Sequence, residues 1–283
     1  MTANWSDHCR EQVRLYDRDR YLSTLFAAEK HRDALLALYA FDIEINRIPD
    51  MVSDPMPGEI RLQWWADAIG DIGHGSIEGH PVAAALRTAI ETYNLPTGPL
   101  LDLIEAHRFD LYNDPMPTLT DLEGYAGETV SAILQLSGII LANGEDPGTA
   151  DVSGHAGAAI GLARVLQLLP RHTAKRQVFL PVDVLKRHGM SPPELLQQQD
   201  GDRVEAVVAE MCVHVRHHLD RFSMAFEAAR SSAVCAAYLQ TGILPLFLKK
   251  LESTKGDPRQ TVVELPQWRR QLCLWRAARL LSG

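Results

Sequence analysis

Asp42, Asn46 and Asp50 recur at four-residue intervals in the segment Tyr39-Ala40-Phe41-Asp42-Ile43-Glu44-Ile45-Asn46-Arg47-Ile48-Pro49-Asp50. A helix would bring the three to one face, as a carboxylate-rich magnesium site requires. Taken alone the spacing is a weak signal, because a solvated helix face produces it more often. His214, His217 and His218 stand at i, i+3 and i+4, which could turn two or three imidazoles toward a metal. One helix seldom completes a metal site, and Glu210 and Asp220 can simply pair with solvated histidines. No metal is assigned there. Arg108, Asp110 and Asp114 cluster at another expected helix end. Ion pairs among themselves explain them more simply than a binding site does.

The elements that must carry these residues are helical. Apolar residues keep a helical period from end to end, and alternating strand segments are absent. A helix over Glu29 to Ile48 is stopped by Pro49, and the next opens at Pro57-Gly58. Gly70 to Gly79 reads as a loop. Helices follow over Pro81 to Tyr93 and Leu100 to Tyr112. After the breaker Asn113 to Pro117, Thr118 or Thr120 caps a helix from Asp121 to Leu141. A small-residue helix runs from Ala150 to Leu169 and ends at Pro170. Ser191-Pro192-Pro193-Glu194 is a helix start, and long helices cover Asp202 to Ser231 and Ala233 to Leu251. The expectation is one all-α domain over 1–283, with a core at about 21–251, roughly ten to twelve helices, and a terminal amphipathic helix over about 265–281.

Composition limits the function classes. The 283 residues are 46% hydrophobic and 23% charged, enough for a buried core and against disorder. There are 36 acidic against 28 basic residues, a net charge of −8, and no basic face before the C-terminus; nucleic acid is not an expected partner. Cys9, Cys212, Cys235 and Cys273 form no CxxC pair and read as reduced thiols. The N-terminus is polar and charged, unlike a secretory signal. Ser131 to Ala142, taken as the longest nearly apolar stretch, is too short to span a bilayer. A cytoplasmic protein is expected. The last helix carries Trp268, Leu272 and Trp275 with Arg269, Arg270, Arg276 and Arg279, and no acid follows Glu264. Such a helix could lie on an anionic membrane or dock a partner. The plainer reading buries Trp268 and Trp275 in the domain.

Several segments together resemble the squalene/phytoene synthase family: Tyr39-Ala40-Phe41 ahead of the first acidic segment, Leu62-Gln63-Trp64-Trp65, Asp121-Leu122-Glu123-Gly124-Tyr125, the Ala159 to Leu169 helix, and Phe179-Leu180-Pro181. The resemblance extends from about Tyr21 to about Leu251. It implies an all-helical isoprenoid-synthase fold in which two aspartate-rich helices face each other across a cleft. They hold magnesium on the diphosphates of two prenyl substrates joined head to head.

The motifs that such chemistry needs are degenerate. In register with Tyr39-Ala40-Phe41, the first motif's acids fall on Asn46, Arg47 and Asp50, and a guanidinium near a divalent cation is repulsive. Asp50 and Asp54 have the D-x-x-x-D spacing, but Pro49 and Pro55 flank them. The second motif falls at Leu168 and His172, and no Asp or Glu occurs from Val152 through Val182. Where active members carry a glycine-bearing run, this chain has Val130-Ser131-Ala132-Ile133-Leu134. Head-to-head synthase activity is therefore not expected, nor any cofactor. Tyr125-Ala126-Gly127-Glu128-Thr129, Leu169-Pro170-Arg171-His172, Gln177 to Pro181 and Lys186-Arg187-His188-Gly189 resemble the family's non-catalytic branch, which includes a mitochondrial complex I assembly factor. That resemblance implies a bacterial relative assembling respiratory complex I at the inner face of the membrane, with complex I subunits as partners. Its residual cleft would comprise Asp42, Asn46, Arg47, Asp50, Arg108, Asp110, Tyr125 and His172. Two alternatives stand beside it. One is an active magnesium-dependent prenyltransferase using Asp42, Asp50, Asp54 or Asp110; the other is an isoprenoid or lipid binder.

Overall fold

Helix boundaries follow local chemistry through most of the chain. In the computed structural model, which describes residues 3–70, 79–197, 200–229 and 231–282, the first cleft helix spans Glu29–Arg47 and tightens into a 3₁₀ turn, Ile48–Asp50, at Pro49. His80 caps Pro81–Tyr93, and Asn94 closes it in the left-handed conformation. Thr118 caps Leu119–Ala126 by accepting from the Asp121 amide. Ser191 and Glu194 form a reciprocal capping box. Among the described residues there are eleven α-helices of eight residues or more, one long 3₁₀ run, Ser231–Ile243, shorter helical pieces between them, and no strand.

Glu29–Arg47 is the central strut, burying Leu35, Leu38, Phe41 and Ile45 against Ala3–Tyr16, Pro81–Tyr93 and Ala132–Leu141. A side chain the size of Phe41 contributes about 2–3 kcal/mol when removed from water. The second cleft helix, Ala150–Gln167, lies along Gly201–Ala229, the longest helix described. Its small residues permit close approach. A Cβ on Gly157 would stand 2.6 Å from Ser131 Cα, and one on Gly161 would stand 2.7 Å from Ala126 Cβ.

Several expected elements are divided differently. Leu100 to Tyr112 is an α-helix only over Gly98–Ala106 and becomes 3₁₀ over His107–Leu111. The expected Asp121 to Leu141 helix bulges into a π turn at Gly127–Ser131, beside the two glycines that admit it. Pro170 does not end a helix. Ala150–Gln167 stops earlier, and Pro170 sits in the first turn of Leu169–Ala174, where its missing N–H costs nothing. Pro245 likewise begins Leu244–Ser253 after the 3₁₀ run Ser231–Ile243. Ala3–Tyr16 and Arg18–Thr24 were not expected as helices at all. Ser131 to Ala142 is also not the longest apolar run. Ser232–Ser253 is by length and composition apolar enough to cross a membrane, but more than half of its most apolar stretch is buried inside the protein. Most of the loop expected at Gly70 to Gly79 lies outside the described residues.

Candidate functional site

One wall of the cleft comes from Glu29–Arg47 and its 3₁₀ extension. Asp42, Asn46 and Asp50 all line the same cavity. Asp42 is 3% exposed and bound to the buried Arg20 guanidinium from Arg18–Thr24. Burial pushes its carboxyl upward, but Arg20, helped by Arg164, holds it below the usual range. Asn46 Nδ2 donates to the Asp42 carbonyl at 2.7 Å and to its Oδ1 at 3.0 Å. Asp50, at the mouth, is clasped by Arg171 and Lys175 from the opposite wall. Burial opposes its ionisation, yet Lys175 and Arg171 depress its pKa.

The opposite wall is cationic. Arg164, Arg171 and Lys175 stand seven and then four residues apart, so the helix and the turn after it aim all three into the cleft. Arg164 Nη1 comes within 3.5 Å of Asn46 Oδ1. His172 lies deeper, its ring centroid 4.5 Å from that of Phe179, with Nδ1 buried and unpartnered. Burial first, and Arg171 second, push its pKa down to about 4, so the imidazole is neutral at neutral pH.

A third group closes the back. Tyr125 Oη donates to Asp110 Oδ2 at 2.8 Å, and His107 Nδ1 lies 2.6 Å from the same oxygen. Burial, reinforced by Asp110, raises the Tyr125 phenol well above its ordinary value. His107 Nε2 and Asp110 Oδ1 are buried without a partner.

The expected residual cleft needs two corrections. Arg47 faces away, its guanidinium 4.0 Å above the Tyr16 ring, in a separate recess with Glu44, Trp64 and His80. One residue along a helix is a rotation of about 100°, so Arg47 cannot share the Asn46 direction. Arg108 also lies outside, bound to Glu59 and, at 2.7 Å, to Glu105. Asp42, Asn46, Asp50, Asp110, Tyr125 and His172 do meet around the cavity. Sequence reasoning missed Arg20, Arg164, Arg171, Lys175 and His107. The i, i+7, i+11 spacing of the three cations was the available signal. Asp54 and Asp114 are exposed and line none of the cavity.

The cavity measures about 130 Å³, below the roughly 300–1,000 Å³ of typical ligand pockets. Val130 and Leu168 are among its apolar lining. The donor set does not fit magnesium. Asp42, Asp50 and Asp110 are each engaged by protein cations or hydrogen bonds, and the wall facing them presents guanidinium and ammonium groups. A divalent ion placed between the walls would meet repulsion from one side and compete with existing pairs on the other. Among the described residues no three His, Cys, Asp or Glu side chains are arranged to hold a metal. Of the three helical histidines, His214 turns to Glu210 at 3.8 Å, while His218 lies 3.0 Å from Glu123 and 3.2 Å from His155, with the His217 ring edge-on to it at 5.6 Å.

The squalene/phytoene synthase family model matches residues 13–271. Complex I assembly factor 6 of Rattus norvegicus is 33% identical over 251 residues, covering 88% of this chain and 74% of that protein. The 15-cis-phytoene synthase of Synechocystis is 25% identical over 257 residues, covering 84% and 75%. A crystal structure of a dehydrosqualene synthase in complex with ligand superposes with a TM-score of 0.78 over 99% of this chain and 97% of that one, at 18% identity. The helix order, the cleft and these similarities have one account: the chain belongs to the squalene/phytoene synthase family.

Proposed function

We propose that this protein is a single squalene/phytoene-synthase-like domain that works without catalysis or metal, as an assembly factor for respiratory complex I. The observation that carries the reading is the Asp50 carboxylate clasped by Arg171 and Lys175, where a synthase of this family would need carboxylates on both walls. Similarity to complex I assembly factor 6 over most of the chain supports the partner class. The partners would be complex I subunits, met at the cytoplasmic face of the inner membrane. Deleting the gene and resolving NADH dehydrogenase on native gels tests the reading, with loss or delay of the full-size complex as the expected result. Normal assembly in the deletion strain would sink it. Incubating the pure protein with farnesyl or geranylgeranyl diphosphate and magnesium tests the non-catalytic half. Any protein-dependent squalene- or phytoene-type product would establish the prenyltransferase alternative instead. Retention of the diphosphate without turnover would favour the isoprenoid binder.

A further inference from the structure

The terminal helix Gln267–Leu281 has two apolar sides. The inner side buries Leu274, Ala277 and Ala278 against Leu239 and Ile243. Gly242 approaches so closely that a Cβ there would stand 2.6 Å from Ala277 Cβ. Arg270, on the same side, pairs with Asp19. This side accounts for the helix's place in the fold, but not for its tryptophans. Trp268 is 61% exposed, Trp275 47% and Leu280 81%, contrary to the reading that buries both indoles.

On a 3.6-residue winding, Trp268, Leu272, Trp275 and Arg279 share one outward stripe, with Arg269 and Arg276 beside it. Arg269 lies over the Trp268 ring at 5.2 Å and Arg279 over the Trp275 ring at 4.9 Å. Among the described residues, Arg269, Arg276 and Arg279 have no acidic partner. An open groove of about 910 Å³ runs alongside, with Phe222, Leu248, Lys249 and Arg276 among its lining and Asp220 as the one acid of that lining.

We infer that this outer face docks on an anionic phospholipid bilayer. Charge decides the occupant. The whole chain carries −8, so most of its surface is repelled by anionic lipid, whereas this stripe offers three unpaired guanidiniums and no acid after Glu264. Indoles flanked by arginines suit the headgroup boundary, where the ring meets acyl carbon and the guanidinium meets phosphate. The packed inner side holds the stripe ready-made, so docking requires no folding of the helix. The inference is independent of the assembly reading, because it rests on the surface opposite to the helix's packing and not on the cleft.

The full chain is floated with vesicles of pure phosphatidylcholine and with vesicles of phosphatidylcholine and phosphatidylglycerol in equal parts. Binding to the anionic vesicles alone, weakened by added salt, is the expected result. Arg269→Gln, Arg276→Gln and Arg279→Gln combined should weaken it about 100-fold, at about 5-fold per arginine. Trp268→Ala with Trp275→Ala should abolish the lipid-induced blue shift of indole fluorescence. All five substitutions are on the exposed side, and an unchanged far-ultraviolet circular dichroism spectrum shows that the variants fold. No flotation with anionic vesicles, equal flotation with neutral ones, or undiminished binding by the arginine triple variant would each overturn the proposal. The first outcome would leave a protein partner as the occupant of the stripe.

Discussion

Arg20 and Asp42 form an ion pair with side chains only 3% and 5% exposed. Removing Asp42 leaves the buried Arg20 with only the longer contact to Asp17 at 3.6 Å, so Asp42→Ala should cost about 3 kcal/mol in denaturant unfolding. Replacing both by apolar residues of similar volume should recover most of that loss. Glu44 titrates in a different window. Burial raises it to about 7, and the Gln12 amide offsets only part of the rise. The folded state therefore keeps a proton that the unfolded chain releases at the ordinary carboxylate value, and its contribution to stability is present in acid and lost as pH rises through about 7. Glu44→Gln should stabilise the protein by about 3 kcal/mol at about pH 8 and hardly at all at about pH 4, read as Tm against pH. Asp42, Asn46 and Asp50 were legible as one face because their spacing matches a helical period. Their partners were not. Arg20 comes from a short helix with no apolar stripe to announce it, and three cations on the opposite wall go unnoticed when carboxylates are sought there.

At the scale of elements, the sequence announces helix starts well. Thr118, Ser191 and Pro81 work through their own side chains or ring, so local chemistry suffices. Breaks inside apolar runs are less legible. The π turn at Gly127–Ser131 packs closely against Gly157 and Gly161 of a helix more than twenty residues later, a tertiary contact with no local mark. Ala3–Tyr16 escapes for a related reason: it buries Cys9 and Val13 but exposes most of its charged residues, leaving too narrow a stripe to recognise. The close approach makes a prediction. Gly157→Ala would drive a Cβ into Ser131 Oγ and place it 2.6 Å from the Ser131 backbone, so it should destabilise by about 1–3 kcal/mol. Adding Ser131→Gly should relieve part of the loss, because the hydroxyl yields and the backbone contacts remain. Thermal melts of the single and double variants measure this coupling.

For the whole molecule, the fold was legible because helical periodicity and family resemblance agree, while the degeneration of the two acidic motifs was legible as missing acids. The structure adds what replaced them. Restoring acids with Asn46→Asp, Leu168→Asp and His172→Asp should yield no prenyl-diphosphate consumption with magnesium, because Arg164, Arg171 and Lys175 still occupy the cleft. Product analysis against an active synthase checks this. The Asp50 clasp has a consequence for motion as well. Its partners are 121 and 125 residues away along the chain, so it joins the early and middle thirds of the molecule at the cleft mouth. Two walls of like charge would breathe until a cation bridged them, making their order depend on ligand. Walls of opposite charge are latched continuously, and the latch is partly exposed, so ionic strength controls it. Amide hydrogens along Ile48–Asp50 and Leu169–Ala174 should exchange slowly in the ligand-free protein at low salt, and together become faster when salt is raised or Asp50 is replaced by Asn. A binding cleft would thus have become a fixed joint, whose rigidity is set by the buffer instead of by a substrate.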